Sequence, residues 1–354
     1  MRILNVADFN WMTGAERHTA SLSLFDVCRK LSLAATRADH LVVEFSDRAV
    51  ARMAGPLRLP GAGEAWAARR FLQAVDELKP DLILLNFADR IGNAALAEAR
   101  ALAPGVTIAD INIDPIDGAK NQRRLALRQG AVDALFVTTA EPALGAHAGP
   151  GAFVAYMPNP VDPSIETGRG FDNGAPAFDL LFPASDDGPR EVGAERLSPG
   201  EAVARLSAAV PGLRASTPGI DGQPQARGYR YFVELASARA GWSLSRRASL
   251  PLYASDRMAH FFGWGLAVLM DRRAGFDRFY GPGEAVFYDD LDGLAASLRT
   301  LIADDAAARE IARRGWAKTW ELFPSRRVLA YLLAQLFDDG GAKGYEWTCE
   351  RWVS

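Results

Sequence analysis

Four carboxylates, Asp8, Asp89, Asp110 and Asp114, sit at or just after short apolar runs, where a strand would hand over to a loop. A carboxylate in that position can take a proton from a substrate hydroxyl, and such work needs only one of them, so most serve turns or packing. After the first apolar run comes Thr13-Gly14-Ala15-Glu16-Arg17-His18. Gly14 lets main-chain N–H groups at a helix start come close to a ligand, and the partial positive charge of a helix amino end favours an anion there. A plain strand-to-helix turn explains the same glycine equally well. Glu16 and His18 open that helix as either proton carriers or caps. Asp8 and His18 are the preferred bases because both flank the glycine loop. No metal site is expected. Asp110-x-x-x-Asp114 and Asp289-Asp290-Leu291-Asp292 have oxygen ligands without calcium-type spacing, and Cys28 and Cys349 make neither a disulfide framework nor a zinc site.

These groups need a scaffold, and 354 residues with 49% hydrophobic and 23% charged side chains suit two globular domains. A net charge of −3 speaks against nucleic acid as a general partner. The stretch Lys120-Asn121-Gln122-Arg123-Arg124-Leu125-Ala126-Leu127-Arg128 could meet an anionic membrane, although a solvated helix face accounts for it better. No apolar run is long enough to span a bilayer, and the opening Arg2-Ile3-Leu4-Asn5-Val6 lacks the features of a secretory leader. The expected location is cytoplasmic, with peripheral attachment at the inner membrane face as the variant. Lysine occurs only at 30, 79, 120, 318 and 343, so a phosphate-gripping cation in the second half is almost forced to be Arg.

The first half alternates predicted strands (3–7, 41–45, 82–86, 107–111, 135–138, 153–156) with predicted helices (15–31, 65–78, 94–102, 119–129), the pattern of a parallel sheet covered on both faces. A second alternation runs from the strand 178–182 through a helix near 199–209, a strand near 266–270, a helix at 291–303 and an amphipathic stretch at 306–323. Between them, Met157-Pro158-Asn159-Pro160-Val161-Asp162-Pro163 with Gly168, Gly170 and Gly174 reads as an interdomain hinge. The expected domains are 1–165 and 166–325. A tail at 326–354 should return to the first, because Val328, Leu329, Leu332, Leu333 and Leu336 with Tyr345, Trp347 and Trp352 need a surface on which to bury. Ligands of open parallel sheets sit beyond the carboxyl ends of the strands, so two such sheets would face a central cleft.

Several segments resemble, in order, the GT-B glycosyltransferases of the group-1 and spore-maturation-protein-like type. Residues 13–18 look like the family's Gly-Gly-Ala-Glu-Arg-His loop with Thr for the first Gly, and 157–162 are similar to its Pro-Asn-Pro-Val-Asp linker. Residues 255–265 resemble an Arg-x-x-Glu-x-x-x-x-Gly box, and Gly281–Tyr288 the strand that follows it. The resemblance implies α/β architecture with two Rossmann-like domains, acceptor on the first and donor on the second. It implies a metal-independent hexosyltransferase that moves sugar from a nucleotide-sugar to a carbohydrate or lipid-linked acceptor, in surface polysaccharide or lipopolysaccharide synthesis. The nucleotide-sugar is a co-substrate, and no cofactor is implied. Arg190 and Arg257 become the donor diphosphate's partners, since a guanidinium offers a planar fork of donors at fixed charge; Glu284 and His260 complete the donor set, and Gly14 and Glu16 the acceptor loop. Removing either Arg should weaken donor binding with little effect on folding. His260 stands where the family has a carboxylate, and the family's Arg-Lys pair is absent. This keeps open a catalytically silent binding protein or partner subunit, and a nucleotide-sugar epimerase of the same architecture.

Overall fold

The computed structural model describes residues 1–9, 26–53, 61–184, 188–338 and 340–354. Two compact units share the chain: Met1–Pro158 together with Ser325–Ser354, and Asn159–Pro324.

The first unit runs β1 (Arg2–Ala7), α1 (Val27–Arg37), β2 (Leu41–Ser46), α2 (Asp47–Arg52), α3 (Ala62–Leu78), β3 (Leu82–Asn86), α4 (Asn93–Leu102), β4 (Thr107–Asn112), α5 (Ala119–Arg128), β5 (Ala134–Val137) and β6 (Phe153–Tyr156). These strands pair in parallel in the order β6-β5-β4-β3-β1-β2. Parallel neighbours need crossovers, which the helices supply, and a sheet covered on both faces takes near-continuous apolar strands. Leu82-Ile83-Leu84-Leu85-Asn86 of β3 is buried at every position for that reason. The covering helices contribute apolar positions at helical spacing, as Ala67, Phe71 and Val75 do on α3.

Two helix expectations change. The sequence predicts a helix ending at Leu31, whereas α1 continues to Arg37, because Ala34 and Ala35 keep its apolar face buried behind Cys28 and Leu31. The predicted start of that helix lies outside the described residues. The short α2 falls directly after β2 in a stretch the sequence leaves unassigned.

In the second unit come β7 (Phe178–Leu181), β8 (Arg190–Val192), β9 (Glu195–Leu197), α6 (Pro199–Ala209), β10 (Ala215–Ser216), α7 (Tyr229–Ser237), β11 (Ala238–Ser243), α8 (Asp256–Gly263), β12 (Ala267–Asp271), β13 (Val286–Tyr288), α9 (Leu291–Ala303) and α10 (Asp305–Leu322). The parallel order is β10-β7-β11-β12-β13, with β8 and β9 forming a separate antiparallel hairpin. Ser198 and Glu201 cap α6 reciprocally, side chain to main chain in both directions, with Pro199 at the first helical position. The Pro-rich run read as a hinge divides: Pro158 closes the first unit and Asn159 opens the second. There Asn159 Nδ2 donates to Asp256 (2.8 Å), and the Val161 N–H donates to the Phe323 carbonyl (2.9 Å).

The chain then rejoins the first unit as α11 (Ser325–Phe337) and β14 (Arg351–Trp352), the latter antiparallel to β6. Tyr331 Oη donates to the Tyr156 carbonyl at 2.7 Å, and its ring meets Tyr345 and Trp347 edge-on at 5.1 and 5.4 Å. Among the described residues no helix is long and apolar enough to cross a membrane.

Candidate functional site

The carboxyl edge of the second unit's sheet is where a parallel α/β sheet offers its loops to a ligand. The hairpin β8–β9 lies over it: the Gly193 N–H donates to Asp271 Oδ2 at the end of β12 (3.0 Å), and the Glu191 N–H to the Arg246 carbonyl past β11 (3.2 Å). Beneath these ties a small pocket opens, lined among others by Ser243, Arg247, Tyr253, Met270 and Asp271. Glu191 faces Arg247 at 3.8 Å and accepts from Ser249 Oγ at 3.2 Å.

Arg190 begins β8 and is buried, 4% exposed, so it is not the surface cation that its Asp-rich neighbourhood in sequence would suggest. Arg257 lies in the first turn of α8 and points at the same edge. Its guanidinium donates to the Pro183 carbonyl (2.7 Å) past β7 and the Leu244 carbonyl (2.6 Å) past β11, and lies 5.6 Å from the centre of the Phe182 ring. Desolvation and, next, the charge of Arg190 push the Arg257 guanidinium down to about 10. It is still a cation at neutral pH, held beside a second one. The expectation that removing Arg257 hardly affects folding does not survive this geometry, because the side chain joins two strand-end loops and its loss leaves both carbonyls without their donor.

His260 lies on α8, 4% exposed, with Nδ1 at 2.7 Å from Glu166 Oε1 and its ring edge-on to Tyr231 at 5.6 Å. Glu166 also accepts the Asp162 N–H through its other oxygen at 2.6 Å. No local signal singles out Glu166. Its partner is 94 residues away, and only the fold brings them together. Glu284 closes a turn by accepting the Gly281 N–H at 2.7 Å.

In the first unit, Asp8 follows β1 and pairs with Arg48 (3.3 Å), while its Oδ1 is enclosed with no partner. Arg48 also reaches Asp89 (3.1 Å), and Arg124 bridges Asp89 (2.8 Å) and Asp114 (2.9 Å). Of the basic stretch on α5, Arg124 and Arg128 are thus taken up inside the unit, with Lys120 and Arg123 exposed. His18, Gly14 and Glu16 lie outside the described residues.

Two α/β units, each built on a parallel sheet, define a class, and the comparisons agree with it. The fold is GT-B. Residues 200–334 match the family described as "Glycosyl transferase-like", a span that includes Arg257, His260 and Glu284. Among solved structures, the chain is similar to a sucrose-phosphate synthase from Thermosynechococcus elongatus (TM-score 0.60, 13% identity, 94% of this chain and 97% of that one). It is also similar to HepE of Anabaena in complex with UDP and glucose (TM-score 0.58, 13% identity, 94% and 98%). A third is AviGT4, a glycosyltransferase involved in avilamycin A biosynthesis (TM-score 0.54, 15% identity, 94% and 96%). No curated protein matches the sequence.

Proposed function

We propose that the chain is a glycosyltransferase that takes its sugar from a nucleoside-diphosphate donor held at the carboxyl edge of the second unit's sheet. The observation that carries this reading is a buried Arg190 opening β8 together with Arg257, whose guanidinium donates to the strand-end carbonyls of Pro183 and Leu244 at that same edge. Cations gathered at one partly buried edge favour an anion beside them. A diphosphate supplies such an anion. As the glycosidic bond breaks, further negative charge develops on the leaving diphosphate, so fixed cations stabilise the transition state more than the ground state. Arg257 contributes chiefly its charge, since two of its donors are committed to carbonyls. The pocket past β11, with Ser243 and Tyr253 in its wall, supplies hydroxyl partners suited to a ribose or a base.

HepE's complex with UDP and glucose supports a uridine nucleotide as the first donor to try. The acceptor is a carbohydrate or a lipid-linked sugar, in surface polysaccharide or lipopolysaccharide synthesis, and transfer needs no metal; these points rest on the family resemblance. A thermal-shift panel of UDP, GDP, ADP and CDP with their sugars tests the donor reading. One of them should raise the melting temperature in a concentration-dependent way, because a ligand that binds only the folded state stabilises it. A flat response across the panel would favour a silent binding protein instead.

A further inference from the structure

The hairpin β8–β9 pairs with no strand of the parallel sheet, and its ties fall on both walls of the pocket past β11. One wall is the end of β12, where Asp271 Oδ2 accepts the Gly193 N–H at 3.0 Å. The other is the segment that follows β11. There the Glu191 N–H donates to the Arg246 carbonyl (3.2 Å), Ser249 Oγ donates to Glu191 Oε2 (3.2 Å), and Arg247 faces Glu191 at 3.8 Å. The walls also meet directly, the Leu252 N–H donating to the Ala274 carbonyl at 2.9 Å. The cavity between them is about 10 Å³, roughly the room for one water. A ribose or a base enters only when the walls part.

The hairpin's ties are of a kind that can break and re-form. Asp271 does not depend on Gly193 for its partners. Arg273 donates to it from the main chain (3.0 Å) and from the guanidinium (3.0 and 2.7 Å), so its buried charge stays paired when the turn leaves. The Glu191–Arg247 contact is partly exposed, where ion pairs hold weakly. Two strands of three residues each gain little stability of their own. Shape is what keeps the hairpin seated. Val192 is buried in the second unit's core, and Gly193 begins the two-residue turn with φ +57°. A methyl group at Gly193 would lie 2.7 Å from the Asp289 carbonyl oxygen and 3.1 Å from the Asp290 Cα, so only glycine seats the turn there.

We propose that this hairpin is a clasp that holds the two walls of the pocket shut, and that its release admits and frees the nucleotide. The donor reading supplies what enters; the clasp itself does not rest on it. Release exposes Val192, which keeps the closed arrangement in the majority, and a ligand that fits only between parted walls waits for the minor one. Entry and exit are then both limited by opening. Weakening the clasp should speed both, and the two effects should largely offset in the equilibrium affinity.

Gly193→Ala in the whole protein tests this, with the milder Ser249→Ala carrying the same measurements if the first variant does not fold. Hydrogen exchange without nucleotide comes first. The amide of Leu252, which bonds across the walls and makes no contact with the substituted turn in sequence, should lose protection roughly tenfold in Gly193→Ala, while the amide of Trp242 in β11 keeps its own. Stopped-flow binding of UDP comes second. The observed rate in the parent should level off at high UDP concentration, and the variant should raise that ceiling and the dissociation rate several-fold together. Unchanged protection at Leu252 would overturn the proposal, and so would faster dissociation under an unchanged ceiling. If UDP and the other nucleotides bind neither protein, the donor reading falls, and exchange at Leu252 alone decides the clasp.

Discussion

Asp110 on β4 shows how burial of a single group ties stability to pH. Its folded pKa lies near 7, above the ordinary carboxylate value, so the folded state holds its proton while the unfolded chain has released it. Folding takes up a proton between those two values, and this group's contribution to stability is present below the unfolded pKa and declines as pH rises through about 7. Asp110→Asn removes that penalty. Relative to the parent, the variant should gain stability from about pH 4 to about pH 7, by on the order of a few kcal/mol, as read by urea denaturation at a series of pH values. An offset that does not vary with pH would refute the assignment. His260 and Glu166 make the opposite case. Both side chains are almost wholly buried and bonded to each other, so His260→Ala strands a buried carboxylate and should destabilise the second unit by about 3–5 kcal/mol. A loss below about 1 kcal/mol in chemical denaturation would place the pair in the class of weak surface bridges. At this scale the sequence was half legible. Arg257 and His260 could be singled out because they fall in a recognisable box, whereas Glu166, Arg48 and the buried pairing of Arg190 depend on contacts between residues far apart in the chain.

Among the elements, those with local signals were readable and those held by their neighbours were not. The helix α6 declares itself through Ser198, Pro199 and Glu201, and β3 through five consecutive residues that all become buried. The central strand β11 does not: Ala238-Arg239-Ala240-Gly241-Trp242-Ser243 contains no β-branched residue and a glycine in its middle. It is a strand because β7 and β12 pair with it on either side and because α8 packs over it at close range. At Gly241 an added methyl group would lie 2.4 Å from Cγ of the Phe261 ring, with two further ring atoms within 2.9 Å. The ring is buried and cannot withdraw freely. Gly241→Ala should therefore cost about 1–3 kcal/mol through forced movement of α8, and because α8 carries Arg257 and His260 it should also weaken nucleotide binding. Unchanged melting temperature and unchanged nucleotide affinity in this variant would show that α8 is less firmly seated than the packing indicates. The same missing strand explains why Ser243 and the pocket beside it escaped notice: without β11 there is no strand end from which to look for a ligand.

The whole molecule uses one chain to build two α/β units, the first of which is completed only by the last thirty or so residues, those from Ser325 onward. Composition and the double alternation made the two α/β units legible, since each follows from local chemistry. The pairing of β14 with β6 was not, because a two-residue strand carries no periodicity. What the plan is for depends on the second unit's claim to a nucleotide-sugar, and Arg190 tests that claim most directly, as it lies outside the matched family span yet beside Arg257. Isothermal titration calorimetry of UDP and UDP-glucose, and of whichever nucleotide gives the largest thermal shift, should be run on the parent and on Arg190→Met, which keeps the length of the side chain and removes its charge. The parent should bind saturably, and the variant should lose about 1.5–3 kcal/mol, roughly tenfold to a hundredfold in affinity, while still melting cooperatively. Equal affinity in parent and Arg190→Met would contradict it.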